Sequence, residues 1–211
     1  MKKSILVICI VVLLLIVGGV VYAGIGGTYF DMGRYYSDAV TQTEDSDVAA
    51  EYKEYKIYRA SVDYVRKMNA AAGAKENSNL SDKDIVNGII ENIIIMEEAQ
   101  RLGLAATDEE VEAMINSVKS SYDIPDGKEM IDSYCAGAGI TVEQYFDIVS
   151  EQIPRTIARQ KLKDDLGQKY CIEHGIEFTK INPSEKMLKA VDDDIREIFE
   201  KNSKYIVYYV N

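Results

Sequence analysis

Helix-start signals constrain the middle of this chain more than any other feature of its sequence. Thr107 is followed three residues later by Glu110, and Thr141 is followed three residues later by Gln144. In such a capping box the Thr hydroxyl accepts the backbone N–H of the third helical residue, whose own side chain reaches back to the N–H of the cap. These signals predict that new helices begin at Thr107 and Thr141.

An earlier helix start is predicted at Ser81, a residue type that favours the N-cap position. Asp82 and Asp84 then lie in the first turn, where the helix dipole favours negative charge. We expect this helix to run to Leu102 and to lie at the centre of the fold, because its apolar residues nearly encircle the axis. These residues are Ile85, Ile89, Ile90, Ile93, Ile94, Ile95 and Met96.

The rest of the chain is also predicted to be mainly helical. From residue 47 to about 72, apolar and aromatic residues recur at steps of three and four, which is typical of an amphipathic helix. The β-prone residues 205–210 indicate a short C-terminal strand. The expected fold class is therefore all-α with this one strand. Further helices are expected at residues 107–122, 128–136, 141–166 and 184–200, with a turn at 124–127.

The N-terminus has the composition of a membrane anchor. After Lys2 and Lys3 no charged residue occurs before Asp31, and residues 5–17 are aliphatic apart from Cys9. A bilayer core is crossed by about 20 apolar residues, and basic residues favour the cytoplasmic side. We therefore expect a single-pass anchor in the cell membrane, with the bulk of the chain outside the cytoplasm.

A cleaved signal peptide is the alternative for the same segment. The small residue Ala23 suits a cleavage position, and the protein would then be secreted. In either case the predicted organisation is an anchor or signal segment at residues 1–27 and a linker at 28–46. A helical domain then occupies residues 47–204, and an extension occupies 205–211.

The formal net charge of −11 restricts the class of partner. Strong acidity disfavours nucleic acid and anionic lipid surfaces, because both are themselves negatively charged. It is compatible with basic polypeptide clients, and it is equally compatible with a role in solubility alone.

Two cysteines lie outside the apolar N-terminal run, Cys135 and Cys171. In an oxidising compartment they form a disulfide if they meet in space, and otherwise they are two partly buried thiols. Cys171 and His174 have the spacing of half a zinc site, but the chain contains no second pair and no other histidine. We expect no metal and no cofactor.

Sequence motifs of common enzymes are absent from the chain. It contains no G-x-S-x-G, no H-E-x-x-H, no P-loop and no G-x-G-x-x-G. The chain is instead rich in tyrosine, with 15 Tyr against 4 Phe and no Trp. Tyrosine suits adaptable binding surfaces because it combines a large apolar face with a polar tip. The other explanation is that Tyr replaces Phe on half-buried helix faces.

Four segments of the helical region carry a family resemblance. They are Ile-Ile-Met-Glu-Glu-Ala at 94–99, Gly-Leu at 103–104, Thr-Asp-Glu-Glu-Val at 107–111 and Gly-Ile-Thr-Val-Glu-Gln-Tyr at 139–145. Together with the basic stretch at 155–163, they resemble the chaperone domain of SurA- and PrsA-type extracytoplasmic foldases. The helical part of trigger factor is similar. The resemblance covers roughly residues 80–170.

The resemblance implies binding of unfolded polypeptides. Family members with isomerase activity carry a parvulin domain with histidines around a proline-binding pocket, after the chaperone helices. Here the chain ends at Asn211, about where that domain would begin, and His174 is the only histidine. We therefore expect no prolyl isomerase activity. Candidate peptide-contacting residues, chosen by residue type on the matching segment, are Met96, Met114, Tyr122, Met130, Tyr134, Tyr145 and Phe146.

Two non-enzymatic functions follow from these observations. The first is a membrane-tethered extracytoplasmic holdase that binds unfolded or newly exported polypeptides. The second is an adaptor subunit that uses the same helices to bind one folded partner in an envelope assembly.

Overall fold

The computed structural model describes residues 29–42, 47–71, 80–180 and 183–210, and within these ranges it contains seven helices and three strands. The predicted anchor at 1–27 and the cleavage position near Ala23 lie outside the described residues. No helix in the described ranges is long and apolar enough to cross a membrane. In chain order the elements are α1 (Tyr29–Gln42), β1 (Val48–Tyr52), β2 (Tyr55–Tyr58), α2 (Arg59–Ala71), α3 (Asp82–Arg101), α4 (Asp108–Tyr122), α5 (Pro125–Ala138), α6 (Val142–His174), α7 (Glu185–Ser203) and β3 (Ile206–Tyr208).

The predicted helix starts are confirmed. The backbone N–H of Thr107 donates to Glu110 Oε2 at 2.8 Å, and the N–H of Glu110 donates to Thr107 Oγ1 at 3.3 Å. Thr141 and Gln144 form the same reciprocal pair, and Ser81 forms a third capping box with the residue three positions on. These three helices therefore begin where local side-chain chemistry satisfies their first N–H groups, and at α7 the Ser184 hydroxyl accepts from the Met187 N–H.

Helix α3 lies at the centre of the fold, as predicted. Its isoleucines face the sheet, α2, α6 and α7 on different sides. Such all-round contact explains why the apolar residues encircle the helix instead of forming one stripe. The buried residues of α3 are Ile85, Val86, Ile89, Ile90, Ile93, Ile94, Ile95, Met96 and Ala99.

The prediction of one helix from 47 to 72 is wrong in its first part. Residues 48–58 form a β-hairpin in which Tyr52 pairs with Tyr55, and only Arg59–Ala71 is helical. The two-residue turn places Lys53 at φ 51°, a conformation usually taken by Gly or Asn. Because neither residue type is present, the turn had no sequence signal. The tyrosines recur at helical spacing by coincidence, although their residue type suits strands.

The mainly helical fold class and the C-terminal strand are confirmed, but the strand is one of three in a small sheet that was not predicted. β3 pairs antiparallel with β1 on the side opposite to β2, so the strand order is β2-β1-β3. The pairing continues at Tyr209, whose N–H donates to the Ala49 carbonyl at 2.8 Å. The Tyr208 hydroxyl donates to Asn87 Oδ1 of α3 at 2.5 Å, which fixes the sheet against the central helix.

The linker prediction for residues 28–46 does not hold for α1. This helix crosses α5 with the two backbones in direct contact. A Cβ atom added at Gly33 would lie 2.0 Å from the Tyr134 carbonyl oxygen, and one at Gly137 would lie 1.9 Å from that of Phe30. Only glycine at both positions permits this approach, which buries one side of α1. The sequence of α1 alone does not reveal the crossing, because one of the two glycines, Gly137, lies on α5.

Three helix limits differ from the predictions. The predicted turn at 124–127 is the first turn of α5, which begins at Pro125. Proline is tolerated there because the first N–H groups of a helix are unpaired in any case. Helix α5 ends at Gly139 with φ 67°, and α6 continues past residue 166 to His174.

Apolar packing forms two clusters. The larger one joins the sheet, α1, α2, most of α3, α5 and the first part of α6. The smaller one lies between α3, α6 and α7. It consists of Ile95, Ala99, Ala158, Leu162, Val191 and Ile195.

In the structure, Cys135 and Cys171 are buried free thiols. Cys135 lies in the larger cluster, whereas Cys171 has its Sγ 3.6 Å from the Met187 Sδ of α7. Burial raises the pKa of the Cys135 thiol to about 11, which keeps it protonated and unreactive at neutral pH.

Candidate functional site

Helix α4 carries an apolar side that the fold covers only in part. The helix packs on α5 and α6, yet none of its residues is buried. Its apolar side chains face the larger cluster and remain partly exposed along their length. This set, here called the α4 face, consists of Val111, Met114, Ile115, Val118 and Tyr122, together with Phe146 of α6.

An aromatic row leads from the α4 face into the interior. The rings of Tyr122 and Phe146 meet edge to face with centroids 6.0 Å apart, and Phe146 contacts Tyr145 at 5.5 Å. Tyr145 contacts Tyr134 at 5.7 Å, and Tyr134 contacts Tyr36 of α1 at 6.3 Å. Edge-to-face pairs of this kind contribute about 0.5–1.5 kcal/mol each beyond area burial. The row thus joins α4, α6, α5 and α1.

The structure separates the seven candidate contact residues into two groups. Met114, Tyr122, Met130 and Phe146 are partly exposed, so they remain candidates for peptide contact. The other three, Met96, Tyr134 and Tyr145, are buried and pack the core. Burial strongly raises the pKa of the Tyr134 hydroxyl, consistent with its enclosed position.

Three residues of the α4 face were not among the candidates. Val111, Ile115 and Val118 share one side of α4 with Met114. Their spacing of three and four residues was the signal that could have found them. We chose candidates by residue type alone, and that choice favoured Met and aromatic residues over branched aliphatic ones.

Polar contacts hold the C-terminal end of α4. The Tyr122 hydroxyl donates to Asp132 Oδ1 at 2.8 Å and accepts from Lys128 Nζ at 2.9 Å. Lys128 also pairs with Asp132 at 2.5 Å, and this hydrogen bond holds the pKa of the Asp132 carboxyl below its ordinary value. Close backbone contact supports the same corner, because a Cβ at Gly127 would lie 2.0 Å from the Ser121 carbonyl oxygen. Tyr122 is therefore held by hydrogen bonds at its hydroxyl and by the close approach of the backbones beside it.

A lysine of α6 holds the N-terminal end of α4. Lys161 Nζ lies 2.6 Å from Glu110 Oε2 and donates to the Ala105 carbonyl at 3.0 Å. The hydrogen bond from Lys161 lowers the pKa of the Glu110 carboxyl. Helix α4 is consequently fastened at both ends by polar groups, with the apolar face between them.

The described residues offer no metal-binding cluster. Within those ranges, no group of three or more His, Cys, Asp or Glu residues is arranged to hold an ion. His174 stacks on Tyr170 with ring centroids 4.0 Å apart, and its Nδ1 lies 2.8 Å from the Tyr170 carbonyl oxygen. The α4 face therefore offers apolar side chains for contact, with charged residues at both ends of the helix.

Seven described helices, with a small sheet fastened to the central helix, define a mainly helical domain. Residues 1–163 match the family model of the SurA-like N-terminal domain, and the chain belongs to this family. The resemblance noted over residues 80–170 is thereby confirmed. No curated protein and no solved structure matches the chain.

Proposed function

We propose that this protein is a membrane-tethered extracytoplasmic holdase. It binds unfolded or newly exported polypeptides on the α4 face and has no prolyl isomerase or other enzymatic activity. The observation that carries the proposal is the set of six partly exposed apolar residues, five of them on a helix that buries none of its own and one, Phe146, on α6. Family membership supports the same conclusion, because the resemblance implies a chaperone domain.

The energetics of the α4 face suit weak, reversible binding. Full burial of a Val, Ile, Met or Phe side chain contributes about 1.5–3 kcal/mol. Since these side chains are already largely covered by the fold, each gains only a minor part of that free energy on contact with a client. Several such contacts together support binding, and no single one dominates. Tyr and Met add adaptability, since both fit clients of different shape.

The tether is proposed from the apolar N-terminal run and the two lysines before it. Helix α1 begins at Tyr29, directly after this run, and crosses α5 in backbone contact. A membrane anchor would therefore hold the α4 face close to the export site, where unfolded chains emerge.

The test is suppression of client aggregation by the full-length protein. A chemically unfolded client is diluted, and light scattering is followed against an inert protein of equal negative charge. We expect suppression by the wild type and its loss in a Met114→Ser, Val118→Ser variant. The matched control, Ala113→Ser with Asn116→Ser, changes exposed residues of the same helix and should retain suppression. Absence of suppression by the wild type would contradict the proposal.

An adaptor function is the second candidate, and a different surface favours it. On the solvent side of the sheet, Tyr205, Val207 and Tyr209 are each about half exposed. Lys53 and Lys204 lie over the Tyr205 ring at 5.8 and 5.0 Å. A flat surface of this kind suits one folded partner. Crosslinking in cells separates the two functions, since an adaptor gives one stoichiometric partner and is indifferent to unfolded clients.

A further inference from the structure

Negative charge is concentrated on the part of the chain that carries the α4 face. Residues 108–155 span α4, α5 and the first part of α6, and they contain eleven Asp or Glu against three Lys or Arg. This segment therefore accounts for −8 of the formal net charge of −11. The comparable helical segment 156–211 contains ten acidic and ten basic residues and is neutral. Solubility alone would not require this difference, because both segments are exposed to solvent.

Most of the carboxylates in the acidic segment are available to a partner. Glu110 and Asp132 are paired with lysines, whereas the other nine are exposed and form no ion pair with any described residue. In the neutral segment, by contrast, several carboxylates pair with a lysine one helical turn away. Within residues 108–155, unpaired carboxylates therefore repel one another. Within residues 156–211, several carboxylates are neutralised by neighbouring lysines.

Three of the available carboxylates belong to residues that are next in sequence to partly exposed apolar residues. Glu112 follows Val111 of the α4 face, Asp147 follows Phe146, and Glu129 precedes Met130. Charges at a protein surface act over about 8 Å at physiological ionic strength. A cationic side chain within that distance of one of these uncompensated carboxylates is attracted to it.

We infer that the α4 face selects apolar client segments that are flanked by Lys or Arg. This inference rests on the proposed holdase function and specifies the clients of the same surface. The apolar residues supply the contact area. The surrounding carboxylates attract basic flanks and repel acidic ones, which sets the preference among clients.

The experiment measures the affinity of the full-length protein for three labelled peptides by fluorescence anisotropy. The peptides share one apolar centre of Phe, Leu and Ile residues, and they are flanked by Lys, Ser or Glu. We expect the Lys-flanked peptide to bind about tenfold more tightly than the Ser-flanked one, and the Glu-flanked peptide to bind most weakly. Raising the salt concentration from about 0.05 M to about 0.3 M should reduce these differences, because salt screens exposed charges.

A variant with three neutralised carboxylates tests whether the preference for Lys-flanked peptides arises at the α4 face. Glu112→Gln, Glu129→Gln and Asp147→Asn together should reduce the ratio of Lys-flanked to Ser-flanked affinity several-fold. The matched control, Glu173→Gln, Glu177→Gln and Glu200→Gln, removes three exposed carboxylates from the neutral segment and should leave the ratio unchanged. Measuring a ratio within each variant separates loss of charge selection from loss of folding.

Each outcome decides between the two claims. Equal binding of all three peptides would overturn the selectivity and leave the holdase proposal standing. A Lys preference that is equal in both triple variants would overturn its assignment to the α4 face. Failure of every peptide to bind would contradict the holdase proposal together with the inference that rests on it.

Discussion

Helices α3 and α4 follow each other in the chain and begin with the same type of capping box, yet α3 buries nine residues and α4 buries none. Their apolar residues differ in arrangement, since those of α3 encircle the helix and those of α4 occupy one side. Identical start signals therefore precede two helices with different roles. Capping determines where a helix begins, and contact with neighbouring elements determines how much the helix contributes to stability.

The difference in burial implies a difference in energy. The Ile90, Ile93 and Ile94 side chains of α3 are 0–1% exposed, and each such burial contributes about 1.5–3 kcal/mol. Helix α4 is held mainly by polar contacts at its two ends and by the packing of partly exposed side chains. We conclude that α3 stabilises the fold, whereas α4 presents a surface. The following four predictions test this contrast.

Truncation of a buried isoleucine should separate the two helices most clearly. Ile93→Ala leaves a cavity in the larger cluster and should lower the free energy of unfolding by about 2–5 kcal/mol. The same change at Ile115 of α4 should cost about 1–2 kcal/mol, because that side chain is only partly buried. Chemical denaturation followed by circular dichroism measures both. Equal losses would remove the proposed distinction.

Added methyl groups should have opposite effects in α3 and at the junction of α4 and α5. Gly127→Ala places a Cβ 2.0 Å from the Ser121 carbonyl oxygen, so the junction of α4 and α5 must shift at a cost of about 1–3 kcal/mol. Gly88 of α3 has no atom within 4 Å of the added Cβ, and Gly88→Ala should stabilise by about 0.5–1 kcal/mol. Thermal unfolding of both variants provides the check, and a loss at Gly88 would contradict this geometry.

Removal of the helix caps should affect different observables. Ser81→Ala and Thr107→Ala each remove a cap that contributes about 1 kcal/mol. At α3 the loss should appear in global unfolding, because this helix cannot open without the core. At α4 it should appear as faster amide hydrogen exchange within the helix, with little change in the global midpoint. Thr107→Ser retains the hydroxyl and should leave exchange unchanged.

The smallest expected effect is a pH dependence of opposite sign on the two helices. Burial raises the pKa of the Glu91 carboxyl of α3, against the opposing influence of Lys163 and Arg159. Ionised Glu91 therefore opposes folding at neutral pH, and Glu91→Gln should stabilise there. This gain should disappear as the pH falls through the folded-state pKa.

Glu110 of α4 is the opposite case. Its pKa is lowered by Lys161, so its ionised form supports folding at pH values above the unfolded-state pKa. Glu110→Gln should therefore destabilise at neutral pH, and this loss should vanish as the pH falls through the folded-state pKa. Denaturation midpoints measured from about pH 7 down to about pH 3 decide both signs. A gain at Glu110 would contradict the pairing with Lys161.

The helices were predicted well wherever their signals are local. Three helices begin at capping boxes, in which Ser81, Thr107 or Thr141 pairs with the residue three positions on. Helix α5 ends at Gly139, which has a left-handed conformation. The hairpin was missed because Lys53 occupies a position where the usual turn residues would have been recognised. The membership of β3 in a sheet was missed because its partner, β1, lies about 150 residues earlier in the chain.

The candidate surface was predicted in part for a related reason. Residue type identified Met114, Tyr122, Met130 and Phe146, which are partly exposed. The same criterion selected Tyr145, which is buried. Residue type expresses the capacity of a side chain for contact, and it contains no information about which neighbours already provide that contact.

The starts of α3, α4 and α6, the central place of α3 and the acidity of residues 108–155 follow from the sequence alone. These properties depend on residues close together in the chain or on composition. Three features follow instead from the packing of the whole chain: α1 crosses α5 at two glycines, a three-stranded sheet closes against α3, and α4 stays partly exposed. Each of these depends on contacts between distant segments, whose free energy arises only when the whole chain is packed.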